Sequence, residues 1–183
     1  MILLFNCIAL SSGHGINNNN CGAVGLLNES IENRKIVKIL KCMLQTVGID
    51  VIECTSDYGD PSTLLKNCVD NHNIIKNALN IQIHYNAGGG DGVETLVYSD
   101  DNTNDRNIMA DNICTNISVF TGFKKRGVKI RPDLYFLRKT KNPAIIIEIC
   151  FTDSEIDFRK HDVLTECYAI AKTIYDSGMV NIK

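Results

Sequence analysis

The sequence predicts an α/β domain built on a largely parallel sheet, and three observations carry that expectation. Strand-like segments alternate along the chain with segments of helical period, the order that produces parallel sheets. The clearest strand-like segments, Leu79 to His84 and Pro143 to Ile149, read as buried apolar runs. The length of 183 residues, with 44% hydrophobic and 22% charged residues, suits one domain with a sizeable core and is short for two. No internal repeat, linker or low-complexity segment divides it, so one domain is expected over residues 1–183.

The elements follow in order. Met1 to Leu10 is apolar and reads as the first strand. Ser11 to Leu27, rich in Gly, Asn and Ser, has no period and reads as a long loop. Asn28 offers an N-cap to a helix whose apolar positions (Ile31, Ile36, Ile39, Leu40, Met43, Leu44) recur through Val47, with Gly48 as its stop. Ile49 to Cys54 is a second strand. Pro61 opens a second helix that runs to about Asn77, and Leu79 to His84 is the third strand. The glycine-rich turn Gly88 to Gly92 leads into Val93 to Tyr98, a strand of alternating character. Asp105 to Phe120 is helical, Leu134 to Leu137 a short strand, Pro143 to Ile149 a buried one and Asp162 to Asp176 the last helix. That makes about six strands.

Composition excludes several functions. A formal charge of −2 supplies no basic field, so nucleic acid is not an expected partner, and a polyanionic wall would not be held by charge. The eight cysteines show no CxxC pair and sit among small apolar residues, as free buried thiols do. Neither Cys21 nor Cys54 has a His and an acid at a spacing that suggests a nucleophile. The first apolar run has no basic residue ahead of it and no small-residue cleavage site, and it is too short to span a bilayer. Synthesis in the cytoplasm without a secretory signal, no membrane insertion and a monomeric state are expected. Gly13-His14-Gly15 opens no helix and Gly88–Gly92 lacks a following Lys-Ser/Thr, so neither reads as a phosphate-binding loop.

Three apolar runs end in chemistry. His14 follows the first strand, His84 ends the third, and Glu148 interrupts Ile145-Ile146-Ile147 and Ile149-Cys150-Phe151. In α/β sheets ligands gather outside the carboxyl ends of strands, so these three belong to one expected site. With Glu29, in the first turn of the first helix, they form the ligand inventory of a catalytic zinc centre. Glu148 reads as a buried carboxylate beside the metal, acting as general base and then acid; a salt bridge to Arg131 or Arg138 is the structural alternative. His72, among Asp and Asn, and His161, between Lys160 and Asp162, read as solvated.

Six motifs in order then resemble a known family: Gly13-His14-Gly15, Leu27-Asn28-Glu29, Ile83-His84-Tyr85-Asn86-Ala87, Gly92-Val93-Glu94-Thr95, Asp133 to Arg138, and Asn142 to Glu148. The chain is similar to the zinc-dependent N-acetylmuramoyl-L-alanine amidases of the third type, from about Leu3 to Ile174, and within them to catalytic domains of phage endolysins and autolysins. The resemblance implies a mixed sheet flanked by helices, one Zn²⁺ per chain on His14, Glu29 and His84, Glu148 as the catalytic glutamate, and bacterial peptidoglycan as substrate. It places Asn86, Glu94 and Arg131 near the cleft as substrate-binding candidates. It also implies action on the cell wall, and leaves open whether a C-terminal wall-binding domain lies outside this chain or the protein works without one. Ser11-Ser12 stand where relatives often carry an Asp, so the partner that orients His14 is not read from the sequence. A zinc peptidase or amidohydrolase on another peptidoglycan amide stays open as an alternative. So does a non-catalytic wall-binding module.

Overall fold

The computed structural model describes residues 4–16, 22–57, 59–100 and 105–183. Met1 to Leu3, Asn17 to Asn20 and Cys21, on which parts of the sequence reading fall, lie outside the described residues. Six strands form one sheet: β1 (Cys7–Ser12), β2 (Val51–Glu53), β3 (Ala78–Asn86), β4 (Val93–Val97), β5 (Lys125–Ile130) and β6 (Ala144–Phe151). Their order across the sheet is β2-β1-β3-β6-β4-β5. The first four strands in that order run parallel, whereas β4 is antiparallel to β6 and parallel to β5, which makes the sheet mixed.

Helices cover both faces. On one side α1 (Glu29–Thr46), α3 (Asp105–Thr121) and α6 (Val163–Ser177) close the main core, into which Ile81, Ile83, Ile145, Ile147 and Ile149 project. On the other side α2 (Pro61–Asn73) and α4 (Tyr135–Lys139) cover a smaller core of Cys68, Val69, Leu96, Phe136, Leu137, Ala144 and Ile146. A short α5 (Glu155–Phe158) precedes α6. Among the described residues, no helix is long and apolar enough to cross a membrane.

The helix signals act locally. Asn28 accepts from the Ile31 N–H at the start of α1, and Asp60 accepts from Ser62 and Thr63 beside Pro61 at the start of α2. Asp162 caps α6 by accepting from Thr165, and Gly178 ends it in the left-handed region at φ 62°. Two expectations are corrected. Leu134 to Leu137 is not a strand: residues 135–139 form α4, which buries the adjacent Phe136 and Leu137. A four-residue apolar run is too short to separate strand from helix by period. The sixth strand is instead β5, Lys-Arg-Gly-Val-Lys-Ile, whose charges suit an exposed edge and conceal it from hydropathy.

Candidate metal centre

The sheet register builds the site. His84 on β3 pairs with Glu148 on β6, Glu148 with Glu94 on β4, and Glu94 with Gly127 on β5. Directly opposed residues share a face, so His84, Glu148 and Glu94 stand in one row on the α2/α4 side. His14 joins from the turn after β1 and adopts φ 57°, a left-handed conformation rare outside glycine. α1 holds that turn, because Asn33 Nδ2 donates to the Gly13 carbonyl at 3.1 Å and Arg34 Nη2 donates to the His14 carbonyl at 2.9 Å. Arg34 is itself anchored to Asp57 and to the Ser30 carbonyl.

The same helix supplies the third group. Glu29 is 3% exposed; its Oε1 lies 2.9 Å from His84 Nδ1 and 3.4 Å from His14 Nε2, and accepts from the Tyr85 N–H at 3.2 Å. Its Oε2 accepts from the Ala23 N–H at 2.8 Å. The two imidazole rings stand nearly perpendicular with centroids 5.0 Å apart. Two glycines make the approach feasible: a Cβ at Gly13 would strike the His84 ring, and one at Gly22 the Glu29 carboxylate.

One ligand atom from each of His14, Glu29 and His84 can be chosen so that all lie within 4.8 Å of one another. Two imidazoles and one carboxylate are the donor set of a catalytic zinc site with a position left open, so the residues fit the ion that the sequence suggests. Burial pushes the Glu29 carboxyl up, but the hydrogen bond and charge of His84 and the charge of His14 outweigh it and hold it below its ordinary value. Burial lowers the His84 pKa, yet Glu29 and Glu148 raise it by more. Glu148 is pushed up to about 7, first by burial and then by the nearby charges of Glu29 and Glu94. Its Oε2 is shielded from solvent and has no hydrogen-bond partner. No ion pair joins Glu148 to Arg131 or Arg138, the structural alternative, among the described residues; Arg131 acts on it only through charge. A cleft of about 200 Å³ opens beside the cluster, walled by His14, His84, Gln82, Pro61, Leu64 and Leu65.

The other sequence candidates are distributed unevenly. Asn86 donates to Glu94 Oε1 at 2.8 Å, and Glu94, 8% exposed, also accepts from Arg126 Nε at 2.8 Å. Arg131 lies on the exposed rim, held by Asp133 at 2.8 and 2.9 Å. Arg126 was not foreseen. A register shift between Val93 and Glu94 leaves it as the extra residue of β5, where its guanidinium also covers the Phe151 ring at 4.9 Å.

Two histidine readings are corrected. His72 is fully buried, bonded to Asn80 and Ser11, because α2 packs it onto polar side chains of the sheet. His161 is largely buried, bonded to Glu166 at 2.7 Å and Glu32 at 3.3 Å. Ser11 and Ser12 turn to His72 and Thr55. Cys54 is buried and its thiol is pushed up to about 12, first by burial and then by the charges of Cys68 and Cys7. Cys21 lies outside the described residues. The seven described cysteines form no disulfide.

Comparison with known proteins agrees with this architecture. A family model described as N-acetylmuramoyl-L-alanine amidase matches residues 8–177. An uncharacterized protein of Clostridium perfringens strain 13 is 36% identical over 157 residues, 83% of this chain and 45% of its own. The endolysin of Bacillus phage SPP1 is 32% identical over 152 residues, 80% of this chain and 55% of its own. The chain thus spans about half the length of the curated relatives it matches. Among solved structures, the catalytic domain of the CD27L endolysin targeting Clostridia Difficile superposes with a TM-score of 0.79 at 29% identity, covering 97% of this chain and 99% of that one. Cwp6 from Clostridium difficile superposes at 0.82 with 27% identity, covering 94% of this chain and 29% of that one.

Proposed function

The chain belongs to the N-acetylmuramoyl-L-alanine amidase family, and from that footing we propose that it is a zinc-dependent hydrolase of bacterial peptidoglycan. The bond cut is the amide between the lactyl group of N-acetylmuramic acid and the L-alanine of the stem peptide. The single observation that carries this reading is the convergence of His14, Glu29 and His84 within 4.8 Å, with Glu148 in register beside His84.

Zinc held by His14, Glu29 and His84 would supply Lewis-acid polarisation of the scissile carbonyl and acidify a water. The protein supplies the proton handling. Glu148 Oε2 is free to take a proton from the attacking water, and a carboxyl raised to about 7 returns it readily to the alanine nitrogen as the C–N bond breaks. Glu94 stands opposite Glu148 in register, tied to Arg126 and Asn86, and its nearby charge adds to the upward push on the Glu148 carboxyl. Asn86, Glu94 and Arg131 border the substrate side in this proposal. The role is that of an endolysin or autolysin catalytic domain, one zinc per chain, acting at the cell wall.

Mass spectrometry of peptidoglycan digests, with and without a chelator, tests the reading. The expected products are stem peptides with a free L-alanine amine and muramic acid without peptide, both absent after chelation. A new amine on another residue would move the reaction to a different amide; chelator-insensitive products would remove the metal.

A further inference from the structure

The face of β3 that carries His84 also carries Asn80 and Gln82, both nearly or fully buried. These residues belong to a continuous hydrogen-bonded chain beneath α2. Asn80 Nδ2 donates to the Asn142 main-chain carbonyl at 3.2 Å, and Asn80 Oδ1 lies 3.0 Å from His72 Nδ1. His72 Nε2 lies 2.8 Å from Ser11 Oγ, and Cys68 Sγ donates to Ser11 Oγ at 3.4 Å. Gln82 Nε2 donates to Cys68 Sγ at 3.4 Å, and Gln82 Oε1 lies 3.2 Å from His84 Nε2.

The direction of every link follows from one end. A main-chain carbonyl can only accept, so the Asn80 amide nitrogen faces Asn142 and its oxygen faces His72. His72 therefore carries its proton on Nδ1. Burial holds that imidazole neutral, lowering its pKa to about 4, so Nε2 must accept from the Ser11 hydroxyl. The Ser11 oxygen then accepts from Cys68, and the Cys68 sulfur accepts from Gln82. Only the oxygen of Gln82 is left for His84, and its partner there must be an N–H.

We propose that Gln82 is a positioning residue that keeps the proton of His84 on Nε2 and so assigns Nδ1, the nitrogen facing Glu29, to the metal. The inference rests on the zinc reading above and extends it to this chain's own supporting residues. An acceptor on the outer nitrogen of a ligating histidine fixes both tautomer and ring orientation, and its loss typically lowers metal affinity about 10–100-fold.

The test uses the intact chain loaded with zinc, with affinity read by chelator competition and the His84 ring by ¹⁵N NMR. In the parent, Nε2 is expected to be protonated and Nδ1 metal-bound. Gln82→Leu, which keeps the bulk and loses the acceptor, is expected to weaken zinc binding about 10–100-fold. Gln82→Glu, which keeps an acceptor oxygen, is expected to stay much nearer the parent. Parental affinity and ring signals in Gln82→Leu would overturn the inference, as would a parent in which zinc sits on Nε2. The parent spectrum alone decides the matter if Gln82→Leu does not fold. A parent chain that binds no zinc would instead overturn the metal reading itself.

Discussion

Two histidine–glutamate clusters lie on opposite faces of the same sheet, and they differ in whether their polar atoms are satisfied. On the α1/α6 face, His161 sits between Glu32 and Glu166, and the Tyr85 hydroxyl donates to the second Glu166 oxygen at 3.0 Å. Both Glu166 oxygens have partners, Glu166 is fully buried, and the Tyr85 and His161 rings meet edge to face at 5.9 Å. On the α2/α4 side, His14 and His84 line a cleft and meet Glu29, which reaches them from the start of α1, and Glu148 keeps a shielded oxygen with no hydrogen-bond partner. Leaving a buried polar atom unpaired costs roughly 1–3 kcal/mol, and at Glu148 that cost falls beside the cleft and the His14, Glu29 and His84 cluster. In the proposed reading, the comparison separates a structural cluster from a chemical one made of the same residue types, on neighbouring positions: Tyr85 belongs to the first and His84 to the second.

Substitutions should therefore have opposite signatures on the two faces. His84→Ala should have the largest effect on activity, with bound zinc and wall lysis both falling to background while the Tm of the metal-free protein changes little; atomic absorption and turbidity assays check this. Full zinc occupancy in that variant would break the contrast. Glu148→Gln comes next: lysis should fall about 10²–10⁴-fold, the typical contribution of a general acid–base group, with zinc near one per chain. Parental lysis would remove Glu148 from the proton path.

On the other face, Glu166→Ala strands the Tyr85 hydroxyl and His161 and should cost about 3 kcal/mol, as loss of one partner of a buried pair does. That corresponds to a Tm lower by roughly 6–12 °C for a chain of this size. Calorimetry measures it, and zinc content of the folded fraction should be unchanged. The smallest expected effect is a titration. Burial lowers the His161 pKa, but Glu166 and Glu32 raise it by more, so its folded value lies above the ordinary value. The stability it confers is fully present below about pH 6.5 and is lost as pH rises through the folded value. Tm should fall across that window in the parent and not in His161→Asn; equal pH profiles would contradict a charged His161.

Much of this molecule is legible in its sequence because apolar runs and caps act locally. Asn28, Pro61 and Asp162 start helices where their side chains or ring direct, and the interruption at Glu148 is visible against its isoleucines. What stays hidden depends on neighbours distant in sequence. Lys125 to Ile130 lacks an apolar face because it is an edge, and Arg126 acquires its position only from the shifted register against β4. His72 lies among Asp and Asn in sequence, yet α2 presses it onto Ser11 and Asn80. One overlooked signal was available: Asn80, Gln82, His84 and Asn86 alternate with Leu79, Ile81, Ile83 and Tyr85, a polar stripe at period two inside a buried strand. A stripe of that kind marks a face that does something other than pack.

X-ray absorption spectroscopy at the zinc edge tests the central claim most directly, because a chain with eight cysteines offers an obvious competing donor. The account predicts a shell of nitrogen and oxygen only, at about 2.0–2.2 Å, with imidazole scattering from two histidines. A sulfur shell at about 2.3 Å would place the metal on cysteine and contradict the assignment of His14, Glu29 and His84.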